Sequence, residues 1–248
     1  MFYLDPNKLK ATQRQQATTQ DWPLRFAQLA KTAKNPALQA FYNAGVISGD
    51  TPLSEVPFLA IDIETTGLCP KKNGIISIGA VPMSLERIQC KDAQHWFVKP
   101  RTKVDDSSMV IHGITHSKIA AAPDLQKIMQ EMLNLFAGKI LVVHCNSIER
   151  LFLDAAFKTR LNEGLEFPVV DTMELEARLH RKKPLSWWDK LRGRQLTSIR
   201  LAAARQRYGL PNYHPHDALT DALASAELLQ AQIAHHYSPQ TLLNEIWQ

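Results

Sequence analysis

Residues 58–68 read Phe-Leu-Ala-Ile-Asp-Ile-Glu-Thr-Thr-Gly-Leu, and this run restricts the fold more than any other stretch of the chain. A short, mostly apolar segment is a strand, and this one brings two carboxylates, Asp62 and Glu64, in at its end. Side chains two apart on a strand share a face, so both carboxylates point the same way. Like charges held together away from water are unfavourable unless a cation offsets them. A bare Asp-x-Glu is most often a strand end with capping acids, so the pair gains meaning only from what the rest of the chain brings to it. Thr65, Thr66 and Gly67 follow at once, a turn whose backbone amides can approach a phosphate or a sugar.

The surrounding pattern is that of an α/β domain. Gly74–Met83, rich in β-branched residues, and Gln94–Val98 read as further strands. Asp124–Phe136 reads as an amphipathic helix, with Leu125, Ile128, Met129, Met132, Leu133 and Phe136 at helical spacing. A strand at Lys139–His144, a helix over roughly 147–158 and a short strand at Pro168–Asp171 follow. Helices are expected over Thr172–His180, Thr197–Tyr208 and Asp217–His235. Three strands in succession, then strands alternating with helices, imply a mixed β-sheet flanked by α-helices.

Residues 1–55 read as an N-terminal helical extension. Asp21 can cap a helix that has Pro23 in its first turn. Phe26, Leu29, Ala30 and Ala33 recur at helical spacing, and Leu38, Phe41 and Tyr42 resume the apolar face after Asn35-Pro36. The expected organisation is an extension over 1–55, a domain over 56–236, and a short C-terminal helix or tail over 237–248. The apolar stripe of residues 1–55 could cover the domain's own surface or a protein partner.

With 248 residues, 45% hydrophobic and 21% charged, the chain can bury one core, which excludes disorder throughout, collagen and a coiled-coil rod. Its apolar runs, such as Ile140–Val143, fall far short of the ~20 residues of a membrane span, so no membrane association is expected. Met1–Asp5 has no basic n-region or apolar h-region of a secretory signal. Cys69, Cys90 and Cys145 lack metal-site spacing and read as free thiols in a reducing compartment, so a cytoplasmic protein is expected. The net charge of +5 is concentrated: residues 176–208 hold ten basic and two acidic side chains, +8, which leaves −3 for the rest. A concentrated positive charge suits a polyanionic partner, although such a run is often only a solvated surface. Trp187-Trp188, set among Lys182, Lys183, Lys190, Arg192 and Arg194, could stack bases or bury a loop.

Two more segments carry chemistry. Glu149 falls in the first turn of a helix that follows a strand, where active-site groups collect at a sheet's carboxyl edge. Alone it would be an acid favouring the helix dipole. His216 stands five residues before Asp221, and Asp221 shares a helix face with the small residues Ala218, Ala224 and Ser225. No glycine-rich phosphate loop and no Ser-His-Asp hydrolase elbow is visible.

Taken together, Phe58–Leu68, Ile75–Ala80, Val110–Thr115, His144–Glu149 and His216–Asp221 resemble the DEDDh family of 3′–5′ exonucleases, in the style of the proofreading (epsilon) subunit of bacterial DNA polymerase III. The resemblance covers roughly residues 57–235. It implies a ribonuclease H-like fold and hydrolysis of phosphodiester bonds in nucleic acid, DNA slightly preferred, releasing nucleoside monophosphates from single-stranded 3′ ends. It implies two divalent metal ions, Mg²⁺ or Mn²⁺, held by Asp62, Glu64, Glu149 and Asp221, with His216 as the general base. Histidine titrates near neutral pH, which suits that task. The resemblance further implies that Thr65, Thr66 and Gly67 contact the terminal nucleotide and that His112 and Thr115 flank its base. The departure is Glu149, which stands where the family has Asp and adds one methylene to the reach of the carboxylate. Alternatives are an RNA-directed 3′–5′ exonuclease and a non-catalytic nucleic-acid binder on a nuclease scaffold.

Overall fold

The structure is a computed structural model that describes residues 20–102, 114–181 and 196–248. Five strands, β1 (Phe58–Thr65), β2 (Ile75–Met83), β3 (Gln94–Phe97), β4 (Ile140–Val143) and β5 (Val169–Asp171), form one sheet in the order β3-β2-β1-β4-β5. β2 runs antiparallel to both β1 and β3, whereas β4 pairs parallel with β1 and with β5. This is the mixed sheet expected from three strands in succession followed by strand–helix alternation. β1 is central. All its residues are buried except Asp62, which is of intermediate exposure. A run apolar on both faces belongs where helices cover both faces.

The helices are α1 (Trp22–Thr32), α2 (Pro36–Asn43), α3 (His116–Ala121), α4 (Met129–Phe136), α5 (Asn146–Leu161), α6 (Thr172–His180), α7 (Leu201–Arg207) and α8 (Ala218–His236). Two expectations need correction. The segment expected as one helix over Asp124–Phe136 is a 3₁₀ turn, Leu125–Lys127, followed by α4. The Asp124 side chain accepts from the Gln126 amide and is gripped by Arg101 and Arg160, each at 2.8 Å, which fixes a tight capping turn ahead of the helix. The helix expected from Thr197 starts only at Leu201, because Arg200 is its extended cap residue (φ −66°, ψ 151°).

Asp21 and Asn35 cap α1 and α2 as the sequence suggests, with Pro23 and Pro36 in the first turns. The Phe26 ring lies 5.4 Å from Phe41 and 5.2 Å from Tyr42. These rings belong to the same buried cluster as the sheet residues Phe58 and Leu141. Polar ties fix the same contact. Arg25 Nε donates to Glu166 at 2.8 Å, and the Lys34 and Asn35 amides donate to Glu163. The apolar face of α1 and α2 is thus turned onto this chain's own domain. At the other end, Leu243, Ile246 and Trp247 are buried, and the Gln248 amide pairs with Val169 O at 2.9 Å along the free edge of β5. Among the described residues no helix is long and apolar enough to cross a membrane.

Candidate active site

The cross-strand register decides where the acids sit. Asp62 pairs with Gly79 and Glu64 with Ser77, and the register slips by one residue between Glu64 and Thr65. Such bulges re-aim side chains at sheet edges. Here the extra residue, Ile76, packs with Ile114 and Ile119 in a small separate cluster.

Helix α8 lies across β1 and β2. Its closest approach is at Gly79, where a Cβ would fall 2.2 Å from the Ala218 carbonyl oxygen. Glycine is required there because the helix backbone occupies the space a side chain would fill. The small buried residues Ala218, Ala222 and Ala226 let the rest of the helix follow. Asp221, in the first turn of α8, is thereby brought to the buried Glu64. A carboxylate oxygen of each and a ring nitrogen of His216 lie within 4.8 Å of one another. His216 adopts a left-handed backbone (φ +72°), unusual for a residue other than glycine. Its amide donates to Asp221 Oδ2 at 2.8 Å, which ties the solvent-exposed histidine to the acid it accompanies.

Glu149 arrives from the other side. Between β4 and α5 the chain turns at Cys145 with φ +109°. The Asp171 carboxylate holds that turn by accepting from the Cys145 and Asn146 amides at 3.1 and 2.8 Å. It also caps α6 through the Met173 amide at 2.9 Å. Asp171 therefore caps α6 and, as a second task, holds the β4–α5 turn. Glu149, in the first turn of α5, is 2% exposed, and its Oε2 has no hydrogen-bond partner.

The electrostatics follow from this crowding. Burial holds Glu149 well above the usual carboxylate range. Asp62 is also held well above it, first by burial and then by the charges of Glu64, Glu149 and Asp221. Burial pushes Asp221 up to about 6, reinforced by Glu64 and opposed by the His216 amide bond. Carboxylates in such proximity ionise together only when a cation offsets them. An oxygen-rich donor set with an orphaned buried oxygen fits hard divalent cations such as Mg²⁺ or Mn²⁺.

The residues expected on the substrate side are distributed as follows. The Thr65 hydroxyl donates to Gly67 O at 2.8 Å, and the Thr66 hydroxyl accepts from the Gly74 amide at 3.0 Å, so both shape the loop after β1. Gly67 has φ +156° and lies against Asn73. Thr115 is exposed and caps α3. His112 lies outside the described residues, as do Trp187, Trp188 and the basic residues from Lys182 to Arg194. Two described arginines of the basic run are taken up in ion pairs. Arg205, 3% exposed, bonds Glu227 and Ala224 O, and Arg207 pairs with the buried Glu176. They hold helices together, so the local charge excess overstates the positive surface.

Sequence reading passed over two neighbours of the acids. Asp217 caps α8 through the Thr220 amide and adds to the field at Asp62 and Asp221. His95 on β3 shares a 2.8 Å hydrogen bond with Ser77, the cross-strand partner of Glu64. An isolated histidine in a strand gives no sequence signal, whereas an Asp at the head of a helical run is the signal that could have found Asp217.

Comparison with known proteins places the chain in a family and a fold. The family model described as exonuclease (RNase_T) matches residues 59–229, and the chain belongs to that family. A DNA polymerase III PolC-type protein from Thermotoga maritima is 29% identical over 182 residues, covering 73% of this chain and 12% of that protein. A DNA polymerase III subunit epsilon-like protein from Rhodobacter capsulatus is 27% identical over 179 residues, covering 72% of this chain and 24% of that protein. The chain thus spans a minor part of these relatives. Among solved structures, the nuclease domain of 3′hExo, a DEDDh family member bound to rAMP, superposes with a TM-score of 0.58. The identity is 14%, over 75% of this chain and 95% of that one. Cell-death related nuclease 4 gives a TM-score of 0.58 at 19% identity, over 75% and 65% of the two chains. The fold is therefore the ribonuclease H-like fold that this chain shares with these nuclease structures.

Proposed function

We propose that this chain is a metal-dependent 3′–5′ exonuclease that removes nucleoside monophosphates from single-stranded 3′ ends, DNA slightly preferred over RNA. The observation that supports the reading is the meeting of Glu64 from β1, Asp221 from α8 and His216 within 4.8 Å, with Glu64, Glu149 and Asp221 all near enough to raise Asp62. The polymerase III relatives favour DNA as the substrate.

In this reading the four carboxylates hold two divalent ions, Mg²⁺ or Mn²⁺. When bound, the ions supply charge neutralisation at the phosphoryl oxygens and make a water a stronger nucleophile. His216 takes the proton of the attacking water at a ring nitrogen. Being exposed, it can pass that proton to solvent. The hydrogen bond from its amide to Asp221 keeps the imidazole in register with the acids. Water oxygen bonds to phosphorus, the bond to the 3′-oxygen breaks, and the shortened strand leaves with a 3′-hydroxyl. The loop of Thr65, Thr66 and Gly67 orients the terminal nucleotide, with His112 and Thr115 flanking its base.

The test is a gel assay of 5′-labelled single-stranded DNA and RNA of one sequence, with Mg²⁺, Mn²⁺ or EDTA. The expected result is a metal-dependent ladder shortening from the 3′ end, stronger on DNA and absent in Asp62→Ala. Stronger shortening of RNA would make the enzyme RNA-directed. Strand binding without cleavage under either metal would leave a non-catalytic binder.

A further inference from the structure

The loop that follows β1 has two sides. One carries Thr65, Thr66 and Gly67. The other, Asn73 and Gly74, forms a wall of a 290 Å³ cavity that belongs to no part of the site described so far. The Asn73 side chain joins the sides, donating to Thr66 O at 3.2 Å. The opposite wall is α5, which carries Glu149 in its first turn and presents Phe152, Ala155 and Ala156 to the cavity farther along.

Three cationic side chains line this space: Lys71, Arg101 and Arg160. Among the described residues the acid close at hand is Asp124, which both arginines grip. One carboxylate between two guanidiniums leaves an excess positive charge, and Lys71 adds to it. The Thr102 hydroxyl, also lining the cavity, is buried without a hydrogen-bond partner. A buried hydroxyl left unpaired is unfavourable, and an incoming acceptor would satisfy it. Much of the rest of the lining is apolar: Ile75, Leu125 and Phe152 offer hydrocarbon surface, and the Thr159 hydroxyl already donates to Ala155 O at 2.7 Å.

We propose that this cavity binds a single nucleotide unit, with its phosphate at Lys71, Arg101 and Arg160 and its base against Phe152 and Leu125. A cationic rim beside an apolar wall matches a ligand that is anionic at one end and planar at the other. The volume lies near the lower bound of small-molecule pockets, which suits one nucleotide and not two. Two sources present this chemistry: a free nucleoside monophosphate, or one nucleotide of a longer strand. The inference deepens the proposed function by adding a second nucleotide contact, but it requires no cleavage. Because the 66–74 loop is shared, occupancy would also brace the loop beside the acids.

The experiment is calorimetric titration in EDTA of the full chain with AMP, dAMP, inorganic phosphate and a single-stranded oligonucleotide. Wild type, Lys71→Glu and Ala155→Leu are compared. Lys71 is exposed and Ala155 is only half-buried, so both variants should fold, and thermal melts check this. The expected result is monophosphate binding that is stronger than phosphate alone, about tenfold weaker or more in Lys71→Glu, and lost in Ala155→Leu, which fills the cavity. Binding of the oligonucleotide alone, weakened by the same variants, assigns the pocket to a nucleotide of the strand and also supports the inference. Absence of binding by every ligand, or binding unchanged in both variants, overturns it. The cleavage assay separates the two readings: a wild type that cuts but shows no variant-sensitive binding loses only this inference. A wild type that binds but never cuts loses only the exonuclease assignment.

Discussion

Gly79 stands directly across the β1–β2 ladder from Asp62, where the backbone of α8 presses on the sheet. The atoms a methyl group would meet there, Ala218 O at 2.2 Å and Leu219 Cα at 2.5 Å, are backbone and cannot swing aside. Gly79→Ala must therefore lift the first turn of α8 or bow β2, and either movement separates Asp221 from Glu64. The expected cost is about 1–3 kcal/mol in urea denaturation, as for other overpacked sites. The variant should also gain less thermal stability from Mn²⁺ than the wild type does. A variant as stable and as responsive to Mn²⁺ as the wild type would show that this contact does not set the geometry of the site.

Burial of the Glu149 carboxylate predicts an unusual dependence of stability on pH. An acid whose pKa is raised on folding keeps its proton in the native state at pH values where the unfolded chain has released it. Stability then falls as pH rises from the ordinary carboxylate range through the raised value. Asp62, Glu149 and Asp221, the last raised to about 6, all act in this sense without metal. His144 acts in the other sense. Burial lowers it to about 4, so its contribution is present above the ordinary histidine value and is lost as pH falls toward 4. Glu149→Gln removes one buried titrating carboxyl and leaves His144 alone. In EDTA the variant should be more stable than wild type by about 1–2 kcal/mol near neutral pH, with the advantage shrinking on acidification. It should also lose most of the stabilisation that Mn²⁺ gives the wild type. Scanning calorimetry across this range, with and without Mn²⁺, checks both parts. A less stable metal-free variant would contradict the argument.

Glu176 joins three helices. It lies on α6 with no exposed surface, and accepts hydrogen bonds from Arg207 on α7, from the hydroxyl of Tyr208 at 2.8 Å, and from Gln232 Nε2 on α8 at 2.8 Å. Removing the cation strands a buried carboxylate. Arg207→Ala is expected to lower stability by about 2–3 kcal/mol, less than a fully buried pair because Arg207 is partly exposed. Adding Glu176→Gln should recover part of the loss, giving a positive coupling energy in a double-mutant cycle from urea midpoints. Independent, additive effects would mean that the pair does not act as a unit.

How far these features were legible depends on their range along the chain. The strands with β-branched runs, the capped helices and the mixed character of the sheet could be read because each follows from local runs and their succession, as in Phe58–Ile63 or in Asp21 ahead of Pro23. Asp62, Glu64, His216 and Asp221 stand out as candidates because D-x-E and H-x4-D spacings sit on elements of fixed period, and Glu149 because it falls in the first turn of a helix after a strand. The break between Asp124 and α4 could not, because it depends on Arg101 and Arg160, residues distant in sequence that meet Asp124 only in the fold. The pairing of Arg205 and Arg207 was hidden for the same reason: charge counted along the chain does not reveal that Glu227 and Glu176 await them. Ser77 and His95 are 18 residues apart and meet only through strand pairing.

Helices α1 and α2 share the core of the sheet, so damage there should be felt throughout. Phe26 is 2% exposed and touches the rings of Trp22, Phe41 and Tyr42, with centroids 5.2 to 6.2 Å away. Phe26→Ala should cost about 3–5 kcal/mol, the usual range for a buried aromatic ring. The argument fixes how the loss would show itself as well as its size. If α1, α2 and the sheet unfold as one cooperative unit, far-ultraviolet and tryptophan signals shift together to a lower midpoint and the transition stays single. If the extension were an independent unit, the variant would show an early partial transition while the main midpoint stayed at its wild-type value. Arg25→Ala, which removes the tie to Glu166, should shift the same single transition by a smaller amount, about 1 kcal/mol or less, because that pair is partly exposed.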